Sequence, residues 1–260
     1  MKIFFIALSL LASTCFSEVI TVDQSSLGFS ISTTPTQTLY WRGINSQALI
    51  LFIPGGNGNL DLKPGTTDRK YSFYQTLKSL TNPELTTGKF DVVLIDFPLP
   101  LQSLIDRGSN DHRVRIESII QFYQHKTGLP IWLMGHSNGG ISLTKFIFYL
   151  QKNNKTQEIA GVVASAVRNG TDFNKPIDFP ILFLHHEQDG CINTSSTQSQ
   201  RLFEKVKELS SSNIQFKWIT GGDSESADPC CSGFHMYYNS GTEASKFIEN
   251  FITSTSIKND

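Results

Sequence analysis

Charge is sparse in this chain, and neither sign dominates. Of its 260 residues, 22 are Lys or Arg and 23 are Asp or Glu, which gives a formal net charge of −1. There is no basic stripe of the kind that follows a phosphate backbone, so nucleic acid is not an expected partner. No block of like charge marks a disordered tail, and no internal repeat or low-complexity tract interrupts the sequence. Long apolar runs are also missing. The one at the N-terminus is short for a bilayer crossing, and no second run approaches the roughly 20 residues that a membrane helix needs. What is left is a neutral chain long enough to bury a large core as one domain. Its default partner is an uncharged small or polymeric molecule.

Cysteine is scarce as well, with four residues: Cys15, Cys191, Cys230 and Cys231. Met1 and Lys2 make a basic start, Ile3 to Ala12 form an apolar stretch, and Ser13 to Ser17 are mostly small or polar before Glu18. This is the pattern of a secretory signal peptide over 1–17, cleaved after Ser17, which leaves a single domain over 18–260. Thr14 before Cys15 fits a lipoprotein signal poorly. The mature protein is then expected to be secreted or periplasmic, with no stable membrane insertion. Removing the signal leaves three cysteines, an odd number in an oxidising compartment, and predicts one disulfide. Asn154, Asn169 and Asn193 begin glycosylation sequons.

Strand-like and helical patterns alternate along the rest of the chain. Strands are expected near 38–42, 47–53, 90–96, 130–134, 159–164, 180–185 and 214–219, where β-branched or aromatic residues are enriched. Helices are expected over 71–80, 111–126, 139–151, 196–209 and 242–252, where apolar residues recur at three and four positions. Alternation of this kind implies an α/β fold with a mostly parallel sheet covered on both faces. Residues 18–36 read as an extra N-terminal hairpin or strand, and 253–260 as a frayed tail.

The most informative motif is Gly135, His136, Ser137, Asn138, Gly139, directly after the apolar run Pro130 to Met134. Its form is G-x-S-x-G between a strand and a helix, which is the setting of a nucleophile elbow: the serine is raised at the C-terminal edge of a sheet. A serine hydroxyl is a weak nucleophile and needs a base. Of six histidines, His112, His125 and His136 precede or adjoin Ser137, and His185 and His186 fall inside a strand-like run, so His235 is the one placed to act. An acid is expected just beyond the strand at 180–185, and Asp189, followed by Gly190, lies there, with Glu187 as runner-up. Asp189 also has the place of a helix cap for 196–209. His185, His186, Asp189 and His235 meet no metal-site spacing. The glycines at 55, 56 and 58 lack the Gly-Lys-Ser/Thr ending of a phosphate loop and do not fit a dinucleotide fingerprint. No metal or cofactor is expected.

Ser137, Asp189 and His235, in that order and downstream of a Gly-rich loop, resemble the α/β-hydrolase superfamily, most closely its small secreted or periplasmic serine esterases and lipases. The resemblance spans about 37–252. It implies an α/β-hydrolase fold and a Ser-His-Asp triad working through an acyl-enzyme. It also implies that the run Ile53, Pro54, Gly55, Gly56, Asn57, Gly58 is the oxyanion loop, although Pro54 stands where family members commonly have His. Backbone N–H groups near Gly56 or Asn57, with that of Asn138, would then form the oxyanion hole. A hydrogen bond between Asp189 and His235 would bring the cysteine loops together, which favours Cys191–Cys230 over Cys191–Cys231. The segment from Arg168 to Asp178 is too short for a helical lid, and the longer insertion is an irregular flap at Leu60 to Arg69. The expected activity is cleavage of small-molecule or lipid esters. Peptidase, thioesterase or amidase action on the same triad, and a catalytically idle binding protein of this fold, stand as alternatives.

Overall fold

The computed structural model describes residues 16–24, 34–68, 72–98, 101, 105–173, 175–224, 228–231 and 233–256. The proposed signal segment therefore lies, up to Cys15, outside the described residues. Eight strands form one sheet: β1 (Ser17–Val22), β2 (Thr36–Trp41), β3 (Ala48–Ile53), β4 (Phe90–Asp96), β5 (Ile131–His136), β6 (Gly161–Ser165), β7 (Ile181–His186) and β8 (Ile214–Ile219). Their spatial order is β1-β2-β4-β3-β5-β6-β7-β8. β2 runs antiparallel to both neighbours, and every pairing from β4 to β8 is parallel.

The central strands are buried along their whole length because both faces of the sheet are covered. Alternate residues of β3 feed two separate cores: Leu49, Leu51 and Ile53 point to one face, and Ala48, Ile50 and Phe52 to the other. Helices α2 (Asn110–Thr127), α3 (Gly139–Lys152) and α4 (Ser196–Leu209) close the first face with residues such as Ile116, Phe146 and Val206. Helices α1 (Ser72–Ser79) and α5 (Gly241–Ser256) close the second with Phe73, Leu77, Ile248 and Phe251. The ends of α2 follow local chemistry: Ser109 Oγ accepts from His112 N, and Gly128 closes the helix at φ +67°.

Three sequence expectations change here. The tail is helical to Ser256 rather than frayed from 253, because Phe251 and Ile252 are buried and Asn213 donates to Thr255 Oγ1 at 3.3 Å; 257–260 lie outside the described residues. The insertion from Leu60 is irregular, but its start is not a loose flap. Leu60 N and Leu62 N donate to the two carboxylate oxygens of Asp96, at 2.5 and 2.7 Å, and both leucines are buried. The strand before the elbow runs on to His136 instead of ending at Met134. The N-terminal strand expectation holds in β1, and between β6 and β7 the described residues form no helix.

Candidate active site

Ser137 follows β5 with φ +55°, in the left-handed region that an ordinary side chain adopts at a cost. Packing enforces this turn. A Cβ on Gly139 would lie 2.2 Å from the carbonyl oxygen of Ile53, and one on Gly55 would lie 2.9 Å from Ser137 Cβ. Both glycines are therefore required by close approach between the elbow and the loop after β3. Ser137 N donates to Ser165 O at 3.1 Å, while Ser137 O accepts from Gly140 N and Arg168 N. The backbone is tied on both sides. Ser137 Oγ makes no hydrogen bond to any described residue.

Asp189 sits in the turn after β7, and its side chain is fully buried. Its Oδ2 receives His235 Nδ1 at 2.8 Å, His185 Nε2 at 3.0 Å and Thr194 Oγ1 at 3.1 Å, and its Oδ1 accepts from Cys191 N at 2.9 Å. Burial alone would raise the carboxyl pKa. The hydrogen bonds from His185 and His235, the charge of His235 and the Cys191 N–H outweigh it and hold the group well below the usual carboxylate range. Asp189 is thus ionised throughout the physiological range. Glu187, the runner-up acid, is exposed, and its backbone N–H bonds Ile219 O.

His235 lies in a short 3₁₀ turn, Gly233–Met236, and is buried. Its ring packs 4.7 Å from that of His136, the residue before Ser137. With Nδ1 engaged by Asp189, Nε2 makes no hydrogen bond to the described residues. His136 is a different kind of histidine. Burial, followed by the nearby charge of His235, keeps it neutral by lowering its pKa well below 6.5. Its Nδ1 meets Ser165 Oγ at 3.0 Å, and that hydroxyl meets Tyr237 OH at 2.8 Å.

The loop after β3 is organised by a residue far away in sequence. Arg107 is buried and donates to Gly56 O at 2.9 Å, Pro54 O at 3.3 Å, Gly55 O at 3.4 Å and Ser142 Oγ at 2.8 Å. Asn138 Nδ2 also donates to Gly56 O at 2.9 Å, and Arg168 donates to Asn138 Oδ1 at 2.9 Å. Because a trans peptide points its N–H opposite to its carbonyl, turning the Gly55 and Gly56 carbonyls towards Arg107 turns the Gly56 and Asn57 N–H groups away from it. Among the described residues no acceptor uses the N–H of Gly56, Asn57 or Asn138. Burial, with the neighbouring charge of Arg168, lowers the Arg107 pKa to about 10, which still leaves it cationic at neutral pH.

Cys191 and Cys230 form a disulfide with Cα atoms 4.5 Å apart, linking the Asp189 loop to the segment that leads to His235. Cys231 is an exposed free thiol. Asn169 clasps the next loop: its Nδ2 donates to Ile192 O at 3.0 Å, and its Oδ1 accepts from Ser195 N at 2.9 Å. The structure thus brings Asp189 and His235 into contact, sets His235 against the elbow, and leaves the three expected N–H donors unclaimed. Sequence reasoning missed Arg107, His185 and Thr194. Nothing local marks Arg107, whereas a histidine four residues before Asp189 was a usable signal for His185.

No protein-family model matches the sequence, and no curated protein does. Solved structures match over most of the chain. A lid-less α/β serine hydrolase from Xanthomonas campestris superposes with a TM-score of 0.61 at 11% identity, over 92% of this chain and 94% of that one. Dienelactone hydrolase from Anabaena variabilis gives 0.57 at 13% identity, over 92% and 98%. A hyperthermophilic esterase from Pyrobaculum calidifontis gives 0.58 at 14% identity, over 93% and 84%. The chain has the α/β-hydrolase fold, without a lid among its described residues.

Proposed function

We propose that this protein is a serine hydrolase that cleaves ester bonds with Ser137 as nucleophile, His235 as general base and Asp189 as the acid that orients it. The observation carrying this reading is the 2.8 Å hydrogen bond between His235 Nδ1 and Asp189 Oδ2, 46 residues apart in sequence, beside a serine held at φ +55°. With Nδ1 engaged by the carboxylate, Nε2 is the nitrogen left to take a proton.

Ser137 Oγ would attack the ester carbonyl carbon while its proton passes to His235 Nε2. The carbonyl electrons move onto oxygen, where the N–H groups of Asn138 and of Gly56 or Asn57 stabilise the charge. The tetrahedral intermediate collapses, the C–O bond to the alcohol breaks, and His235 gives the alcohol its proton. Water then attacks the acyl-enzyme by the same route, releasing the acid and restoring Ser137. With no lid among the described residues, esters that reach an open site fit best. The N-terminal pattern supports export, with Glu18 as the first mature residue.

A fluorophosphonate probe tests the assignment. Labelling of Ser137, mapped by peptide mass, and turnover of a panel of acyl esters are the expected results. A folded protein that stays unlabelled, or is labelled elsewhere, overturns it. N-terminal sequencing of the exported protein tests the cleavage site.

A further inference from the structure

A pocket of ≈ 200 Å³ opens beyond the C-terminal end of β6, between the loop after that strand and the first turns of α4. Arg168, Arg201 and Lys205 all line it, a local concentration of positive charge in a chain whose net charge is −1. No carboxylate lines it among the described residues. Asp172, next to it, accepts from Lys205 Nζ at 2.6 Å, which leaves two cations in excess. Arg168 spends one terminal nitrogen on Asn138 and keeps most of its five donors, and Arg201 is exposed with no hydrogen bond to a described residue.

The pocket wall also connects to the hydrogen-bond network of Asp189. Ser199, in that wall, is bonded at 2.8 Å to His185, which holds Asp189. The volume lies below the 300–1,000 Å³ typical of drug-sized sites, which suits a compact group.

We propose that this pocket binds a small oxyanion, a carboxylate or a phosphate. Guanidinium forks match the planar or tetrahedral oxygens of such groups, and the ammonium adds a point charge. The site adjoins the elbow: Arg168 N donates to Ser137 O at 3.2 Å, and the Arg168 side chain holds Asn138. An ester bearing its own acid group can therefore set that group in the pocket and its carbonyl at Ser137. This last point rests on the hydrolase reading, whereas anion binding does not.

Binding is read first on Ser137→Ala protein titrated with sodium phosphate, then acetate, at pH 7.5 and constant ionic strength set by chloride, by calorimetry and thermal unfolding. A saturable heat and a rise in Tm that chloride does not give are expected. Arg201→Gln, on the exposed side of α4, should weaken binding about tenfold. Lys205→Gln, at the other side of the pocket, should weaken it severalfold. Absence of saturable binding, or equal binding in both variants, overturns the site. Wild type is then compared on an ester with a distal carboxylate and on the methyl ester of that carboxylate. A tenfold preference for the acid that Arg201→Gln removes assigns the anion to the substrate, and phosphate binding without such a preference assigns it to a free anion. If neither ester is cleaved, the hydrolase reading fails while binding to Ser137→Ala still decides the pocket.

Discussion

The two halves of the candidate site are held by different means. The elbow half is fixed by backbone packing: Ser137 is strained, Gly139 and Gly55 have no room for a side chain, and buried Arg107 gathers three carbonyls of the loop after β3. The Asp189–His235 half is fixed by side chains and a covalent link, with four donors on Asp189 and the Cys191–Cys230 disulfide. A steric framework tolerates little variation but positions its donors before any ligand arrives. A side-chain network can be taken apart one partner at a time, so graded losses belong to that half and all-or-none losses to the elbow.

The largest expected effect tests that division. Ser137→Ala should lower kcat by about 10⁶-fold with folding retained, measured on a p-nitrophenyl ester. Full turnover by the variant would place the nucleophile elsewhere. Asp189→Asn should lower kcat by up to about 10⁴-fold, because the amide supports the wrong imidazole tautomer. A nearly active Asp189→Asn beside a dead Glu187→Gln would reassign the acid.

Next in size is the double change of Cys191 and Cys230 to serine. With the cysteines 39 residues apart, the chain-entropy model gives a loss of about 4 kcal/mol in unfolding free energy. Denaturant melts check the figure. Fluorophosphonate labelling of Ser137 in the cold should survive, since the elbow does not depend on the link; its loss would mean that the two halves are not separable.

Acid titration probes the elbow half in turn. His112, beside Arg107, has its pKa lowered to about 3 by burial and then by the charges of Arg107 and Arg115. The folded state therefore keeps it neutral while the unfolded chain takes up a proton near pH 6.5. Its stabilisation is complete above about pH 6.5 and is lost as pH falls towards 3, at about 1.4 kcal/mol per pH unit. His136, shifted in the same direction, adds to the slope. His112→Leu should remove one proton from the pH dependence of unfolding, and an unchanged slope would contradict the buried neutral assignment. The smallest effect is assigned to His185→Phe, which removes a donor to Asp189. kcat should fall about tenfold, and the acid limb of the pH profile should move to higher pH as the carboxyl pKa rises. A fall in kcat without that displacement would make His185 a packing residue only.

Legibility in the sequence followed the same division. The elbow is written locally, as five consecutive residues between a strand and a helix, and the order of β3, β5 and β7 placed the glycine loop and Asp189 at one edge of the sheet. Chain order singled out His235, and the convergence of its loop with that of Asp189 favoured the Cys191–Cys230 pairing that the structure contains. What could not be read was contact between distant segments. Arg107 braces carbonyls more than 50 residues upstream from a three-residue 3₁₀ turn that carries no periodic pattern. His185 has the pattern of a buried strand residue, and only the bend after β7 folds Asp189 back onto it. The helical end of α5 was hidden for a similar reason, since its Thr and Ser residues are polar but Asn213 packs against them from another element.

The clasp made by Asn169 has a practical consequence. Both heteroatoms of its side-chain amide are already committed, one to Ile192 O and the other to Ser195 N, yet Asn169 also opens an Asn-Gly-Thr acceptor sequence. In an expression host that attaches oligosaccharides during translocation, the sugar would reach this amide before the clasp closes and would occupy the nitrogen that the loop needs. Material from such a host would carry a loosened connection between β6 and the disulfide loop. Bacterial production, or Asn169→Asp to keep the acceptor oxygen, avoids the adduct, and an intact-mass comparison of the two preparations identifies it.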